Sequence, residues 1–590
     1  MTAVAEARVA TVVVGRPARR GVGVVLGVGV VALSVTVSAR AGSWGIVRND
    51  DWAFARIAFG LNSTGHLPLV GWNKMNLVGL VVWSQPWIWV FGRHPWVLDL
   101  SAAVLVGGGV WAAYQLARRV LPTSAALMAI GSFVAYPGWL RDASTYMTDG
   151  PALGLAAMSV LAGVAAGEHT GRRRILLWGA CVALGFWGFT VRETVIVAPL
   201  AALLAAARAA GAESENRPAR PDRVSRANAE GRTRVKRAPA AAWWAVALGF
   251  SVLCALFYLW RQSLPGGQSL PGHAPALVVA AILARAWFSA ALAFIPALVA
   301  TVRRWWRPVM ARARARGLAI GAVAALLPVV AARQYGGPPV WLLGDYLDRR
   351  GLGGNEILLG NRPGLLAGWV WSLLVVVAVA AGVVTAGLVA ERVARWAAGD
   401  RPPACPAATV LRWYGGLTVV ALIAAAVLDA ALLDRYLWPA LLPGVVLLLA
   451  APHPHRPVSS RLGSPALVAL AVLAALALAL TANSDAYDAA RWRVAEAQRG
   501  VPALSVDAGF EWIGAHAATV ADPAREDGGD PHQSWWTKLF ALPAPCIEVA
   551  NSRLNTPGYD LNGTMTWRPL LIAGSARLYV YRRASCASSS

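Results

Sequence analysis

Two adjacent carboxylates, Asp50 and Asp51, stand in the stretch "RNDDWAFARIAFGLNSTGHLP", directly after the first long apolar segment of the chain. A carboxylate held near a hydroxyl can take its proton as the oxygen attacks an electrophile. The same residues also suit a helix start: Asn49 or Asp50 as N-cap, with Asp51 favoured by the positive helix end. One carboxylate is enough for a cap, so a pair leaves one free for chemistry. Three further stretches place charge beside apolar runs. "RDASTYMTDGPALGL" holds Arg141 and Asp149; Thr148 or Asp149 ahead of Pro151 is again a helix start. "TVRETVIVAPL" holds Arg192 and Glu193, which pair with each other at a turn unless Arg192 holds an anionic phosphate. "LLDRYLWPALLPG" opens with Asp434, Arg435 and Tyr436. Here Arg435 is either half of a weak surface pair with Asp434 or a phosphate ligand, and an interfacial Tyr436 is ordinary membrane anchoring.

The elements that must position these residues are membrane spans. The chain has 590 residues, of which 57% are hydrophobic, and its mean hydropathy is +0.51. Several stretches run about 18 residues or longer with almost no charge, enough to cross the roughly 30 Å hydrocarbon core. About 13 spans are expected, near 21–40, 95–117, 121–139, 150–167, 174–190, 194–210, 241–260, 275–302, 317–333, 364–390, 412–432, 437–451 and 464–482. The first is longer than a signal peptide's apolar core and is read as a retained helix. Phe54, Ile57, Ala58 and Leu61 form an apolar stripe at helical spacing after Asp51. That stripe predicts a short helix lying in the interface plane, closed by Gly65 and Pro68.

The formal charge is +24, and almost all of the basic residues are arginine. They alternate with the spans, so the expected partner is the lipid bilayer and not nucleic acid. Arg118–Arg119, Arg172–Arg174, the basic segment 211–239 and the arginines after the eighth span fall on one side if residues 1–20 are cytoplasmic. The chain is thus expected in the plasma membrane as a multi-pass protein. Segment 211–239 lacks aromatics and reads as a disordered cytoplasmic loop. The opposite side collects Asp50, Asp51, Asp142, Asp149, Glu193, Asp345, Asp348, Glu356 and Asp434, with Arg141, Arg192, Arg349 and Arg435 among them. Charges at the membrane boundary are costly and tend to be functional.

An odd span count puts residues 483–590 outside the cytoplasm as a small mixed α/β domain. Ala576, Leu578 and Val580 alternate with Arg577, Tyr579 and Tyr581, a strand pattern. Cys546 and Cys586 either form a disulfide in that compartment or stay as two thiols. No CxxC pair suggests zinc or redox chemistry. His453 and His455 fall in a cytoplasmic turn, and "REDGGD" (Arg525 to Asp530) reads as a solvated turn.

The four charged stretches, in this order and on this side, resemble the GT-C superfamily of polytopic glycosyltransferases. The nearest branch is the protein mannosyltransferase-like one that includes aminoarabinose transferases. The residues carrying the resemblance are Asp50–Asp51, Met147–Thr148–Asp149, Arg192–Glu193, Arg435–Tyr436 with Pro439, and "WSQPWIWVFG" (Trp83 to Gly92) before the second span. It covers roughly residues 20–450, within a membrane domain of 21–482.

The resemblance implies an all-α GT-C-like fold and a polyprenyl-monophosphate sugar as donor. It implies an acceptor hydroxyl on an envelope glycan, lipid or protein. Asp50, Asp51 and Asp149 would be catalytic, Arg192, Arg435 and Tyr436 would bind the donor phosphate, and Glu193 and Arg141 would support them. The sugar would transfer with inversion, and the arginines would stabilise the leaving phosphate. No cofactor is expected; a divalent ion held by Asp50, Asp51 and Asp149 is the less favoured reading. The glycines of "GVGVVLGVG" lie inside a span and suit close helix packing, not a nucleotide loop. The alternative function is a transporter or flippase of lipid-linked sugars, which should show internal repeats and mid-span charges.

Overall fold

The computed structural model describes residues 20–69, 72, 75–215, 239–264, 272–305, 311–352, 358–399, 405–428, 432–450, 463–517, 534–540, 542–572 and 574–586. Most of the segment 211–239, Glu356, His453, His455 and the turn Arg525–Asp530 lie outside the described residues.

Eleven described helices are long and apolar enough to cross a membrane: Gly21–Ala41, Pro95–Val120, Asp149–Glu168, Gly171–Val191, Glu193–Ala212, Ala240–Gln262, Ala276–Thr301, Ala311–Tyr335, Gly368–Ala397, Pro406–Val427 and Ser464–Glu496. The chain is a multi-pass, mostly helical membrane protein. Two expected spans are short helices. Near 121–139 the helix is Thr123–Val134, and near 437–451 it is Trp438–Leu449. At 1.5 Å per residue twelve residues cover about 18 Å, yet each helix lies on the path between the two charged ends of the bundle: Thr123–Val134 between Arg119 and Asp142, and Trp438–Leu449 between Asp434 and Arg392, which donates to the Leu448 carbonyl at 3.2 Å. The segment around "WSQPWIWVFG" is itself helical, Val78–Phe91, with Pro86 inside it.

Glycine sets how closely the central helices approach. A Cβ on Gly27 would stand 2.5 Å from the Gly107 carbonyl oxygen, and one on Gly109 would stand 2.4 Å from the Gly154 Cα. The Gly21–Ala41, Pro95–Val120 and Asp149–Glu168 helices therefore pack backbone to backbone, as small residues permit in membranes.

The bundle sorts its charges between two ends. One end holds Arg119 paired with Glu168 at 2.8 Å, and a buried Glu391 between Arg314 (2.9 Å) and Arg395 (2.5 Å). The other end gathers Asp50, Asp142, Asp149, Asp345 and Arg435 with the small sheet unit. In that unit β1 (Val506–Asp507) lies parallel to β2 (Ile547–Ala550); β4 (Ala576–Arg583) is antiparallel to β2 and to β3 (Tyr559–Trp567), in the order β1-β2-β4-β3. The segment is a strand, as the alternation predicts, with Leu578 and Val580 buried and Arg577 exposed; Tyr581, from the other set, is buried as well. Cys546 and Cys586 are joined as a disulfide.

The last span does not stop near residue 482. Its helix runs on to Glu496 and carries the chain directly into the sheet unit. Leu359 forms an isolated bridge with Ala550, and the Asn551 N–H donates to the Leu359 carbonyl at 2.8 Å. The sheet unit is thereby tied to the 336–367 connection as well as to the last span.

Candidate functional site

The short helix after the acidic pair is Asp51–Thr64. Its stripe does not face an interface: Phe54, Ile57 and Ala58 are fully buried, under the Val78–Phe91 helix and the Phe510–His516 helix of the tail. Asp50 occupies the N-cap position, yet its side chain makes no cap hydrogen bond. It accepts instead from the Trp72 indole N–H at 2.9 Å and stays half-buried. Asp51 turns the other way, is buried, and accepts from the Tyr146 amide at 3.3 Å; its Oδ1 has no hydrogen-bond partner. Burial raises the pKa of Asp50, against the pull of Arg435 and the Trp72 bond. Burial, with repulsion from Asp99, raises that of Asp51 well above the ordinary range, against the pull of Arg48. Both carboxylates are thus more basic than in water, as a proton acceptor should be.

Asp149 is not a cap either. The Gly150 amide, in the first turn of that helix, donates to Asp142 Oδ2 at 2.6 Å. Gly150 is required there, since a Cβ would stand 2.5 Å from the same oxygen. Burial and the neighbouring Asp149 push Asp142 up to about 7. Asp149 is left to face two arginines. Arg192 Nε stands 3.0 Å from Asp149 Oδ1, and Arg435 Nε is 3.7 Å from Oδ2. Arg192 also donates to the Thr148 hydroxyl at 2.7 Å.

The expected Arg192–Glu193 pair does not form, because the turn sends the two side chains apart. Glu193 accepts from the Asn76 amide at 2.7 Å. Nor do Asp434 and Arg435 make a surface pair, for both are buried. Asp434 accepts from the Tyr346 and Leu347 amides at 3.1 and 2.6 Å. Arg435 points at Asp149 and at Asp345 Oδ2, 3.3 Å away. Tyr436 is no lipid anchor here: its ring lies 4.9 Å from the Arg192 guanidinium and 5.7 Å from that of Arg435. Stacking of this kind holds guanidinium planes without using their N–H groups. Arg435 Nη1 is buried with no hydrogen-bond partner.

Asp149, Arg192, Arg435 and Tyr436 line one small pocket whose remaining wall is largely apolar: Leu153, Ala156, Val195, Tyr414, Trp438 and Pro439. Two cationic groups at one point of a greasy pocket suit a phosphate carrying a hydrocarbon chain. Among the described residues no group of three or more His, Cys, Asp or Glu is placed to hold a metal ion. Asp50, Asp51 and Asp149 each face a different partner.

A second ion network joins the acidic loop and Arg141 to the last span and the tail. Arg48, with no exposed surface, pairs with Asp485 at 3.0 Å and reaches Asp99 at 3.9 Å. It also donates to the Ser38 hydroxyl at 3.0 Å and to the Ser144 carbonyl. Arg141 pairs with Asp488 at 2.5 Å. Arg491 bridges Asp488 and Glu511, each at 2.9 Å, and Glu511 accepts from the Asn49 amide at 3.2 Å. The last span thus holds the acidic loop from below and the tail holds it from the side. The signal was present in "SDAYDAAR": charges three residues apart, on one helical face, directly after a long apolar run.

Residues 84–216 match the family model described as dolichyl-phosphate-mannose-protein mannosyltransferase. No curated protein matches. The chain is similar to the crystal structure of ArnT from Cupriavidus metallidurans in the apo state at 13% identity and a TM-score of 0.36, covering 95% of this chain and 99% of that one. It is also similar to ArnT from Cupriavidus metallidurans bound to undecaprenyl phosphate at 14% identity and a TM-score of 0.35, covering 97% and 99%. The family match takes in Met147–Thr148–Asp149 and Arg192–Glu193 and bears out, over residues 84–216, the resemblance to protein mannosyltransferase-type GT-C membrane proteins.

Proposed function

We propose that this chain is a membrane glycosyltransferase that moves a hexosyl or pentosyl group from a polyprenyl-monophosphate donor to a hydroxyl of an envelope glycan, lipid or protein. The transfer takes place on the outer face of the membrane, with the N-terminus cytoplasmic, as the side-to-side arginine bias favours. The observation that carries the reading is the pairing of Arg192 and Arg435 around Asp149 and Tyr436, with a buried, unpartnered Arg435 Nη1, in an apolar pocket. The mannosyltransferase family match over residues 84–216 supports it.

Asp50 is the better candidate for the base, because it is the member of the pair that remains half-open and within electrostatic reach of Arg435. It takes the proton of the acceptor hydroxyl as that oxygen attacks the anomeric carbon. The bond from that carbon to the phosphate oxygen breaks on the opposite side, so the carbon inverts. The bonding electrons pass to the phosphate, and Arg192 and Arg435 stabilise the charge that develops there. Asp149 orients both arginines. Asp51 acts from beneath through the Tyr146 amide and Arg48, and Glu193 and Arg141 hold their own loops through Asn76 and Asp488.

The test is a deletion strain complemented with wild type, Asp50→Asn, Asp51→Asn or the double variant at matched protein levels. Polyprenyl-phosphate sugars and envelope glycans are quantified by mass spectrometry. Loss of one glycan residue while its lipid donor persists supports the transferase and identifies the sugar. Full glycan restoration by the double variant sinks the transferase reading and returns the question to a transporter.

A further inference from the structure

Asp345 stands beside Arg435, outside the residues that line the pocket, and the reaction above gives it no task. Its carboxylate Oδ2 stands 3.3 Å from Arg435 Nε, is buried, and has no hydrogen-bond partner. Its backbone φ is 121°, a region that glycine tolerates and aspartate does not favour. Residues held so persist only where the surroundings over-determine them.

Those surroundings are visible. Asp434, fully buried, accepts from the amides of the two residues after Asp345, Tyr346 at 3.1 Å and Leu347 at 2.6 Å. The Asp434 amide donates in turn to the carbonyl of Gly344, the residue before Asp345, at 3.3 Å. Tyr346 is pinned further through its hydroxyl, which donates to Asp142 at 3.2 Å, and its ring lies 5.5 Å from the Arg435 guanidinium. The backbone of Asp345 is thus clamped on both sides, while its carboxylate oxygen Oδ2 has, among the described residues, only Arg435 for company.

We propose that Asp345 is a counter-carboxylate for Arg435 that the donor phosphate displaces, so that it sets the affinity of the site for lipid phosphate and favours departure of the product. This rests on the donor reading above. Within ion-pairing distance Arg192 and Arg435 face Asp149 and Asp345. A sugar phosphodiester brings one further negative charge to that balance. The leaving polyprenyl phosphate, a monoester, approaches two at neutral pH. A carboxylate competing for Arg435 therefore opposes the product more than the donor. The strained, clamped backbone keeps that carboxylate close enough to return when the phosphate leaves.

The experiment measures binding of radiolabelled polyprenyl monophosphate to purified full-length protein in lipid nanodiscs. Wild type, Asp345→Asn, Asp345→Gly and Asp345→Asn/Arg435→Ala are compared, with thermal unfolding of each. The expected result is binding about tenfold tighter in Asp345→Asn and Asp345→Gly, stronger inhibition of turnover by added product, and loss of the gain when Arg435 is also removed. Unchanged or weaker binding in both single variants, with wild type binding normally, overturns the role of Asp345 alone. Failure of wild type and every variant to bind the lipid phosphate overturns the donor reading and this inference with it.

Discussion

The Arg48–Asp485 pair offers the sharpest test of how the acidic loop is held. Both side chains have no exposed surface and their charged atoms are 3.0 Å apart. Replacing Asp485 with Asn removes the charge but not the bulk, and strands a buried guanidinium. Breaking such a pair from one side costs about 3–5 kcal/mol. Asp99 remains 3.9 Å from Arg48 as a second counter-charge, and Ser38 and the Ser144 carbonyl still accept its N–H groups. The low end, about 3 kcal/mol, is therefore expected. Replacing both members, Arg48→Met with Asp485→Leu, removes both charges of the pair; Asp99 loses its counter-charge in the Arg48 single variant and in the double alike, so the double should still be less damaging than the two single costs added, by about 2 kcal/mol. The assay is denaturant unfolding in detergent micelles, run as a double-mutant cycle, with turnover measured below the unfolding range. Arg48 lies two and three residues before the acidic pair, so Asp485→Asn should also lose turnover while still folded. Single substitutions that stay within about 0.5 kcal/mol of wild type, with full turnover, would refute the claim that this pair holds the loop.

Arg435→Ala and Arg192→Ala should each lower turnover about 100-fold or more, with Arg192→Lys intermediate because it loses the stack on Tyr436; single-turnover sugar transfer checks this. Burial and the neighbouring Asp507 push the Glu548 carboxyl up to about 9. Its folded pKa lies above the unfolded one, so its contribution to stability is full below about pH 4.3 and is lost as pH rises toward 9. Glu548→Gln should flatten that decline, and melting curves of the two proteins from pH 5 to 9 should diverge progressively; parallel curves would refute it. The Cys546–Cys586 disulfide closes a separation of 40 residues, for which chain entropy gives about 4 kcal/mol. Cys546→Ser/Cys586→Ser should make the sheet unit unfold at lower temperature and become protease-sensitive, while a trace matching wild type would contradict this.

Where the sequence pattern was local, it was legible. Spans longer than the hydrocarbon core show themselves as uninterrupted apolar runs, because no water is present there to satisfy a charged side chain. The eleven long helices, the β4 alternation and the close-packing glycines all follow from residue type and period. The helices Thr123–Val134 and Trp438–Leu449 are shorter than their apolar runs, because an apolar run shows composition but not where the backbone turns. The boundary near residue 482 was drawn where charge returned, yet the helix continued to Glu496, since Asp485, Asp488 and Arg491 are neutralised inside the fold.

The sequence by itself determined that charged residues would gather between spans and which types they are. It did not determine their partners. Arg192 has Glu193 beside it in the chain but Asp149 beside it in space; Asp434 turns from Arg435 to two amides; Arg48 finds Asp485 across the whole length of the membrane domain. Ion pairing depends on distance and on exclusion of water, and both are set by how distant helices pack. Packing of distant helices therefore sets which carboxylate stays half-open, which arginine N–H is left unpartnered, and which residues line one pocket.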